Sequence, residues 1–246
     1  MKKLWRYILW QADVPHSHKH SQSVHLDLGS GRNPRNPFFA DQLIALDLEL
    51  DPRMVVFPSN AFETKVVNSN LAKQLPFIDE SIDSVSAFDV LEHVLRVETV
   101  NDVVTYPLIN LMNEIYRILK PGGVFISLTP AFPSYAAFQH PTHVNFISKG
   151  TVHYFCHPGS TSLRDGYNYQ GDFELICQQW QIGAGPFEDP KNLVSYKMHD
   201  ALLKDKIFGN LRIVWRFAKL FHPLSLKRKR SHLLWVLRKT ESKLSS

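Results

Sequence analysis

Before residue 130 the apolar and polar positions of this 246-residue chain fall into short, regular blocks. SVHLDLGSG is a near-continuous apolar run that breaks into a glycine turn, as a short buried strand does. LIALDLEL is a second run of strand length, again ending at an acid, and TKVVNSNL is a third, shorter one. SIDSVSAFDV is a fourth, preceded by Asp79 and Glu80 and followed by a helical pattern. Leu108, Leu111, Met112, Ile115, Ile118 and Leu119 then recur at three- and four-residue spacing, one apolar stripe of a helix. Pro107 suits its first turn. Lys120-Pro121-Gly122-Gly123 stops it with a cation, a proline that cannot continue and glycines for the turn. GVFISLTP follows at once as a fifth buried strand.

Apolar strands alternating with helical or loop segments predict a parallel sheet covered on both faces. Past Pro130 the order loosens: residues 131–170 are rich in aromatics, histidine and proline. DFELICQQWQI reads as a further strand. Residues 196–221 read as a helix, with Leu202, Leu203, Ile207, Leu211, Val214, Trp215 and Ala218 at helical spacing and Pro223 beyond its end. The basic run Lys227–Arg230 leads into SHLLWVLRK, a final strand. Residues 1–22 form an N-terminal arm, amphipathic at first and then a histidine-rich polar coil.

Composition is that of an ordinary globular protein, 44% hydrophobic and 21% charged. The net charge of +5 is modest and concentrated near the two ends, so it says little about partners. Cys156 and Cys177, far apart, make neither a disulfide framework nor a zinc motif and read as reduced thiols. MKKLWRYILW is too short and too interrupted by Arg6 for a signal peptide, and no stretch reaches the roughly 20 apolar residues of a membrane span. The expected location is the cytoplasm.

The candidate chemistry begins at Asp27-Leu28-Gly29-Ser30-Gly31, at the end of the first strand. Glycines there allow a tight turn and close approach of a nucleotide-like ligand, and a following helix N-terminus offers free amides. A dinucleotide turn has no use for a carboxylate two residues before its first glycine, whereas a ligand bearing an ammonium group does. The third glycine of G-x-G-x-x-G is replaced, the run being Gly29, Gly31, Pro34. Asp47 closes the second strand twenty residues after Asp27, where a ribose-binding acid belongs.

LDLGSGRNP resembles motif I of the class I S-adenosylmethionine (SAM) dependent methyltransferases, and LIALDLE resembles the segment whose acid binds the ribose. NLAKQLPFIDESIDSVSAFDVLEHV is similar to that family's LPF-D-SFD-LEH stretch, and EIYRILKPGGVFISLTP to its R-LKPGG turn. The four motifs span roughly residues 24–130 in the family's order. The resemblance implies an α/β, Rossmann-like fold: a seven-stranded, mostly parallel sheet with its last strand antiparallel and helices on both faces. It implies an N-terminal arm (1–22), a SAM-binding core (23–130), an elaboration capping the acceptor site (131–230) and a final strand and tail (231–246). Gly29, Ser30 and Gly31 would pass beneath the methionine part of SAM, and Asp27 would organise its amino group. Asp47, with Leu48 beside it, would accept from the ribose hydroxyls. Asn70 stands where the family often has Asp, near the adenine amino group with Leu71, and still offers a carbonyl acceptor. Phe88 and Asp89 would face the methionine or the reacting methyl.

Methyl transfer requires alignment of nucleophile, methyl and sulfur and exclusion of water. A base is needed only where the nucleophile carries a proton. His93, His140 and His143 lie just past strand ends, so each is a candidate for general base, for acceptor positioning, or for local hydrogen bonding that orders a loop. Tyr135, Phe138, Asn145 and Phe146 shape an acceptor pocket or pack the loop. His16, His18 and His20 alternate without a companion acid or cysteine and read as solvated coil, so no metal is expected. The expected acceptor is a small molecule, a glycan or a lipid. Nucleic-acid bases are disfavoured, because DVLEH stands where amino-methylating enzymes carry Asn/Asp-Pro-Pro-aromatic. WRFAKLFHPLSLKRKR suits either weak peripheral membrane contact or a helix over the sheet. Two rival classes are a nicotinamide dehydrogenase, for which neither the third glycine nor a Tyr-x-x-x-Lys pair is found, and a non-catalytic SAM-fold binding module.

Overall fold

The computed structural model of the protein describes residues 22–157, 160–181 and 231–240. Strands β1 (Val24–Leu28), β2 (Gln42–Asp47), β3 (Glu63–Asn68) and β4 (Ile82–Phe88) arise from the first four apolar runs. A small hairpin follows, β5 (Glu98–Val100) and β6 (Val103–Thr105), then helix α1 (Pro107–Ile118) and strand β7 (Leu119–Pro130). Helix α2 (Ser160–Tyr167) and strands β8 (Phe173–Gln181) and β9 (His232–Lys239) complete the described elements. Seven strands form one sheet in the order β3-β2-β1-β4-β7-β9-β8. The first five strands in this order pair in parallel, and β9 is antiparallel to both β7 and β8. The seven-stranded architecture expected from the sequence is the one observed.

The chain winds outward from β1 to β3 and then returns to add β4 on the other side of β1. That reversal opens a crevice beyond the carboxyl ends of the central strands, where open α/β sheets bind ligands. The apolar stripe of α1 packs on one face: Leu111, Met112, Ile115 and Ile118 are fully buried against Leu26, Leu28, Val85 and Phe125. Burial of each such side chain contributes about 1.5–3 kcal/mol.

Helices were expected on both faces, with one directly after the glycine turn. Among the described residues the second face differs. Phe38, Phe88, Ile176 and Cys177 cover Val124, Ile126, Leu128, Leu234 and Val236 there. Residues 29–41 contain no helix. Pro34 and Pro37 interrupt the segment, and Asn36 folds it back by accepting from the Ala40 amide and donating to the Ala40 carbonyl (2.9 Å each). The hairpin β5–β6 was also unforeseen; Asn101 and Asp102 take positive φ (50° and 62°) at its turn, which Asn and Asp tolerate. No described helix is long and apolar enough to cross a membrane. The arm to residue 21, the helix expected at 196–221 and the basic run at 227–230 lie outside the described residues.

Two motifs serve architecture. Arg117 donates to the Leu75 and Phe77 carbonyls and pairs with Glu114 and Asp79, while Glu114 accepts from the Leu75 amide (2.8 Å). The helix thereby clamps the Leu75-Pro76-Phe77 loop. Lys120 grips the Asp83 carboxylate (2.8 and 2.9 Å), which also accepts from the Val24 amide. A Cβ on Gly123 would lie 2.8 Å from the Lys120 carbonyl oxygen and 3.1 Å from that of Asp83. Both are backbone atoms held by the β4–β7 pairing, so the turn admits no side chain. Gly123→Ala is therefore expected to cost roughly 1–3 kcal/mol; an unchanged urea midpoint would show that the turn accommodates the methyl group.

Candidate active site

A cleft of about 390 Å³ opens at the carboxyl ends of β1 to β4, lined by Gly29, Asp47, Asn70, Leu71, Asp89 and His93, with Leu48, Ser69, Ala72, Val90, Val94 and Leu95 completing it. It collects seven of the residues nominated from the sequence: Gly29, Asp47, Leu48, Asn70, Leu71, Asp89 and His93. A larger cleft, about 600 Å³, lies at the starts of β7 and β8 with Cys156, Phe173 and Arg238 in its walls. It sits at the opposite strand ends, away from the crevice where sheets of this topology hold ligands.

Gly29 forms the floor of the smaller cleft. Its φ is +58°, and a Cβ there would lie 2.5 Å from Cγ2 of Val90. The glycine is thus required both by its conformation and by the turn that packs beneath it. Asp47 ends β2 with its carboxylate fastened in place: one oxygen accepts from the Gly31 amide (2.9 Å) and the other from the Leu48 amide (2.7 Å). Each carboxylate oxygen keeps a further lone pair for a ligand hydroxyl. Asn70 is exposed, and its side-chain carbonyl accepts from the Ala72 amide (2.9 Å). Asp89 adopts φ +58° immediately after β4 and stands 3.0 Å from His232 Nε2 of β9. The two groups are in close contact without an aligned hydrogen bond.

Four nominated cofactor residues lie elsewhere. Asp27 is 2% exposed; its oxygens accept from the Ser86 hydroxyl and from the Arg35 amide (2.8 Å). It does not present a carboxylate to a ligand ammonium, because the loop it anchors closes over it. Gly31 spends its N–H on Asp47, and the Ser30 N–H donates to the Leu46 carbonyl (3.1 Å). Phe88 points to the second face, with the Arg35 guanidinium 4.6 Å above its ring. Strand alternation puts residues 84, 86 and 88 on the face away from α1.

Sequence reading passed over the support beneath Asp27. His25 is fully buried, with Nδ1 at 2.8 Å from Ser84 Oγ and Nε2 at 2.9 Å from Ser86 Oγ. The Ser86 proton goes to Asp27, which assigns the imidazole hydrogen to Nε2 and makes Nδ1 the acceptor from Ser84. Burial drives His25 down to about 3. Burial likewise lifts Asp27 to about 6, against the Ser86 and Arg35 hydrogen bonds that favour its charge. The polar residues alternating in VHLD and DSVS, inside otherwise apolar strands, were the available signal. Glu92 was also missed: it is 1% exposed, neither carboxyl oxygen has a partner among the described residues, and burial pushes it up to about 8.

The three histidines, dispersed in sequence, meet in space. Val144 and Asn145 donate their amides to the Glu92 carbonyl (2.8 and 3.2 Å), and buried Asn145 donates its side-chain amide to the carbonyls of Leu91 and Val94 (2.9 and 2.6 Å). Asn145 is thus a strap for the loop, with no face toward an acceptor. The strap brings His140 and His143 to His93, ring centroids 4.7–5.5 Å apart. Thr142 Oγ1 sits between Nδ1 of His93 (2.7 Å) and Nδ1 of His140 (2.9 Å). Burial and the two neighbouring imidazoles hold His93 below its ordinary value. Phe132, Phe138 and Phe146, about half exposed, form a row in the same segment, Phe132 edge-on to Phe138 and Phe138 tilted against Phe146.

Residues 26–127, from β1 into β7, match the family model described as a methyltransferase domain. The half of the sheet that frames the smaller cleft is thus similar to a methyltransferase domain. Among similar solved structures, a SAM-dependent methyltransferase from Archaeoglobus fulgidus shares 17% identity over 97% of this chain and 92% of that chain, with a TM-score of 0.48. One from Mesorhizobium loti shares 14% over 94% and 98%, with a TM-score of 0.46. A geranyl diphosphate C-methyltransferase from Streptomyces coelicolor A3(2), crystallised with Mg²⁺, geranyl diphosphate and S-adenosyl-L-homocysteine, shares 14% over 96% and 80%, with a TM-score of 0.46. No curated protein sequence matches the chain.

The buried Asp27–His25 pair has a signature in stability. His25 folds neutral, so the unfolded chain binds its proton more tightly below its ordinary 6.5, and this costs stability as pH falls. Asp27 folds with its proton affinity raised from 3.8 to about 6, which adds stability over the same descent. The two offset between roughly pH 4 and 6. Asp27→Asn removes the second effect alone. Relative to wild type, the apo variant should lose stability as pH drops from 6 to 4, by up to about 1.4 kcal/mol per pH unit. Parallel pH profiles in denaturant titrations would exclude the coupled pair.

Proposed function

We propose that the enzyme transfers the SAM methyl group to a small-molecule acceptor, with glycans and lipid-linked molecules within that class. The 390 Å³ cleft holds the donor, and the histidine cluster with its aromatic row receives the acceptor. The observation that carries this reading is the Asp47 carboxylate, fixed by two main-chain amides at the edge of a cleft with apolar walls. A nucleoside needs that combination: an acceptor for the ribose hydroxyls and apolar surface, here Leu48, Leu71, Val90 and Val94, for the base and the thioether.

SAM supplies an electrophilic methyl on a sulfonium centre. The chain's own groups then have three tasks. Asp47 fixes the ribose, and thereby the distance from the cleft floor at Gly29 to its mouth at His93. Asp89, held at the end of β4 by the Asp89 N–H to Leu128 carbonyl bond (2.8 Å), would offer its carboxylate to the cationic end of the donor. Asp27 acts from below as a positioning residue for the loop from Gly29 to Arg35. At the mouth, His93, His140 and His143 orient the acceptor, while Phe132, Phe138 and Phe146 offer apolar surface and screen water. Alignment and desolvation of this kind supply most of the acceleration for a displacement that needs little covalent help.

Calorimetric titration tests the donor half. SAM and S-adenosylhomocysteine should bind with one site per chain and NAD should not. Asp47→Ala should weaken both sulfur nucleosides at least about tenfold, the loss of charge-assisted hydrogen bonds to two hydroxyls. Undiminished binding by the variant would remove Asp47 from the site.

A further inference from the structure

We propose that His93, His140 and His143 form a binding site for a divalent transition-metal ion of the zinc class, at the rim of the donor cleft. One ring nitrogen from each histidine lies within 4.8 Å of those of the other two. His93 and His140 are exposed, which opens the cluster to solvent on their side, and His143 is half-buried. Three imidazoles are a common catalytic zinc set, leaving a fourth position for water or an acceptor oxygen. Zinc–nitrogen bonds of about 2.0–2.1 Å separate tetrahedral ligand atoms by about 3.4 Å. Closure around an ion therefore needs shifts of roughly an ångström, within the reach of exposed side chains.

Two independent features point to a ligand. First, Nδ1 of His143 is shielded from solvent and has no hydrogen-bond partner among the described residues. A buried ring nitrogen left without a partner is costly, and a metal ion satisfies a lone pair that no donor reaches. Second, the rings are held from outside the cluster. Thr142 Oγ1 contacts Nδ1 of both His93 and His140, and the Thr142 amide donates to His140 Nδ1 (3.4 Å), contacts from outside the cluster that orient the two rings. The Asn145 strap and the Val144 amide fix the backbone that carries two of the three ligands to the turn that carries the third. Sequence spacing conceals the set, because His93 lies 47 residues before His140. Metal binding stands independently of the methyl-transfer reading; a role for the ion in holding the acceptor rests on that reading.

The test uses full-length, tag-free protein, stripped with chelator and titrated with Zn²⁺ alone against a chromophoric competitor. One tight equivalent per chain is expected. His140→Ala and His143→Ala should each weaken it at least about 100-fold, and Thr142→Ala about 10-fold, the usual range for an outer-shell partner. Co²⁺ in place of Zn²⁺ should give the intense visible bands of a four-coordinate ion, lost in His140→Ala. His140 is exposed, so its variant reports on binding even if His143→Ala folds poorly. His157→Ala, which alters a histidine outside the cluster, should leave the affinity unchanged. The proposal is overturned if no stoichiometric ion binds, or if the tight equivalent survives in His140→Ala and therefore belongs to other histidines. SAM titrations on the same samples separate the two claims: donor binding without zinc binding sinks the metal site alone, and zinc binding without donor binding sinks the cleft assignment alone.

Discussion

The carboxylate of Asp27 sits almost without exposure at the end of the central strand, and the ligand-binding end of the sheet hangs on it. The loop after β1 has no helix to stiffen it, so its shape comes from side chains that capture backbone amides. Asp27 takes the amide of Arg35, Asp47 takes that of Gly31, and Asn36 takes that of Ala40. Because Asp27 is desolvated, its charge is tolerable only while Ser86 and Arg35 remain bonded to it, and Ser86 is in turn fixed by His25. Strands β1 and β4 are thereby cross-linked by a polar chain within an otherwise apolar sheet. The carboxylate that shapes the loop beside the cleft is accordingly itself buried beneath it.

The histidine cluster follows the same logic at longer range. The turn 90–94 packs under Gly29 through Val90 and exports its carbonyls to the 140–145 segment through Asn145. A single turn thus forms part of the cleft wall, carries His93 and binds the loop that bears His140 and His143. Displacing that turn would alter the cleft wall and the histidine cluster together.

Much of the fold was legible because its strands are apolar runs with clear stops. β1, β2, β4 and β7 end at acids, glycines or prolines, and α1 declares itself through the stripe from Leu108 to Leu119. The missing helix after β1 was not legible by analogy with nucleotide-binding turns; Pro34, Asn36 and Pro37 decide it locally. The hairpin at 98–105 was readable in principle from Asn101-Asp102 between valines. Gly29, Asp47 and Asp89, nominated on backbone approach and strand-end position, come together in one cleft. Asp27 and Phe88 lie outside that cleft, because position along the chain does not reveal which way a strand residue faces, and Gly31 lies outside it with its amide bound to Asp47. The meeting of His93 with His140 and His143 depends on the Asn145 strap, a tertiary bond that no spacing encodes.

A crystal structure with S-adenosylhomocysteine tests the central claim most directly. The account requires the nucleoside in the cleft above Gly29, its ribose hydroxyls on the Asp47 carboxylate and its adenine between Leu48 and Leu71, with Asp27 still bonded to Ser86 and Arg35. A nucleoside lodged in the larger cleft near Arg238, or one whose amino group has drawn Asp27 out of its buried network, would contradict it.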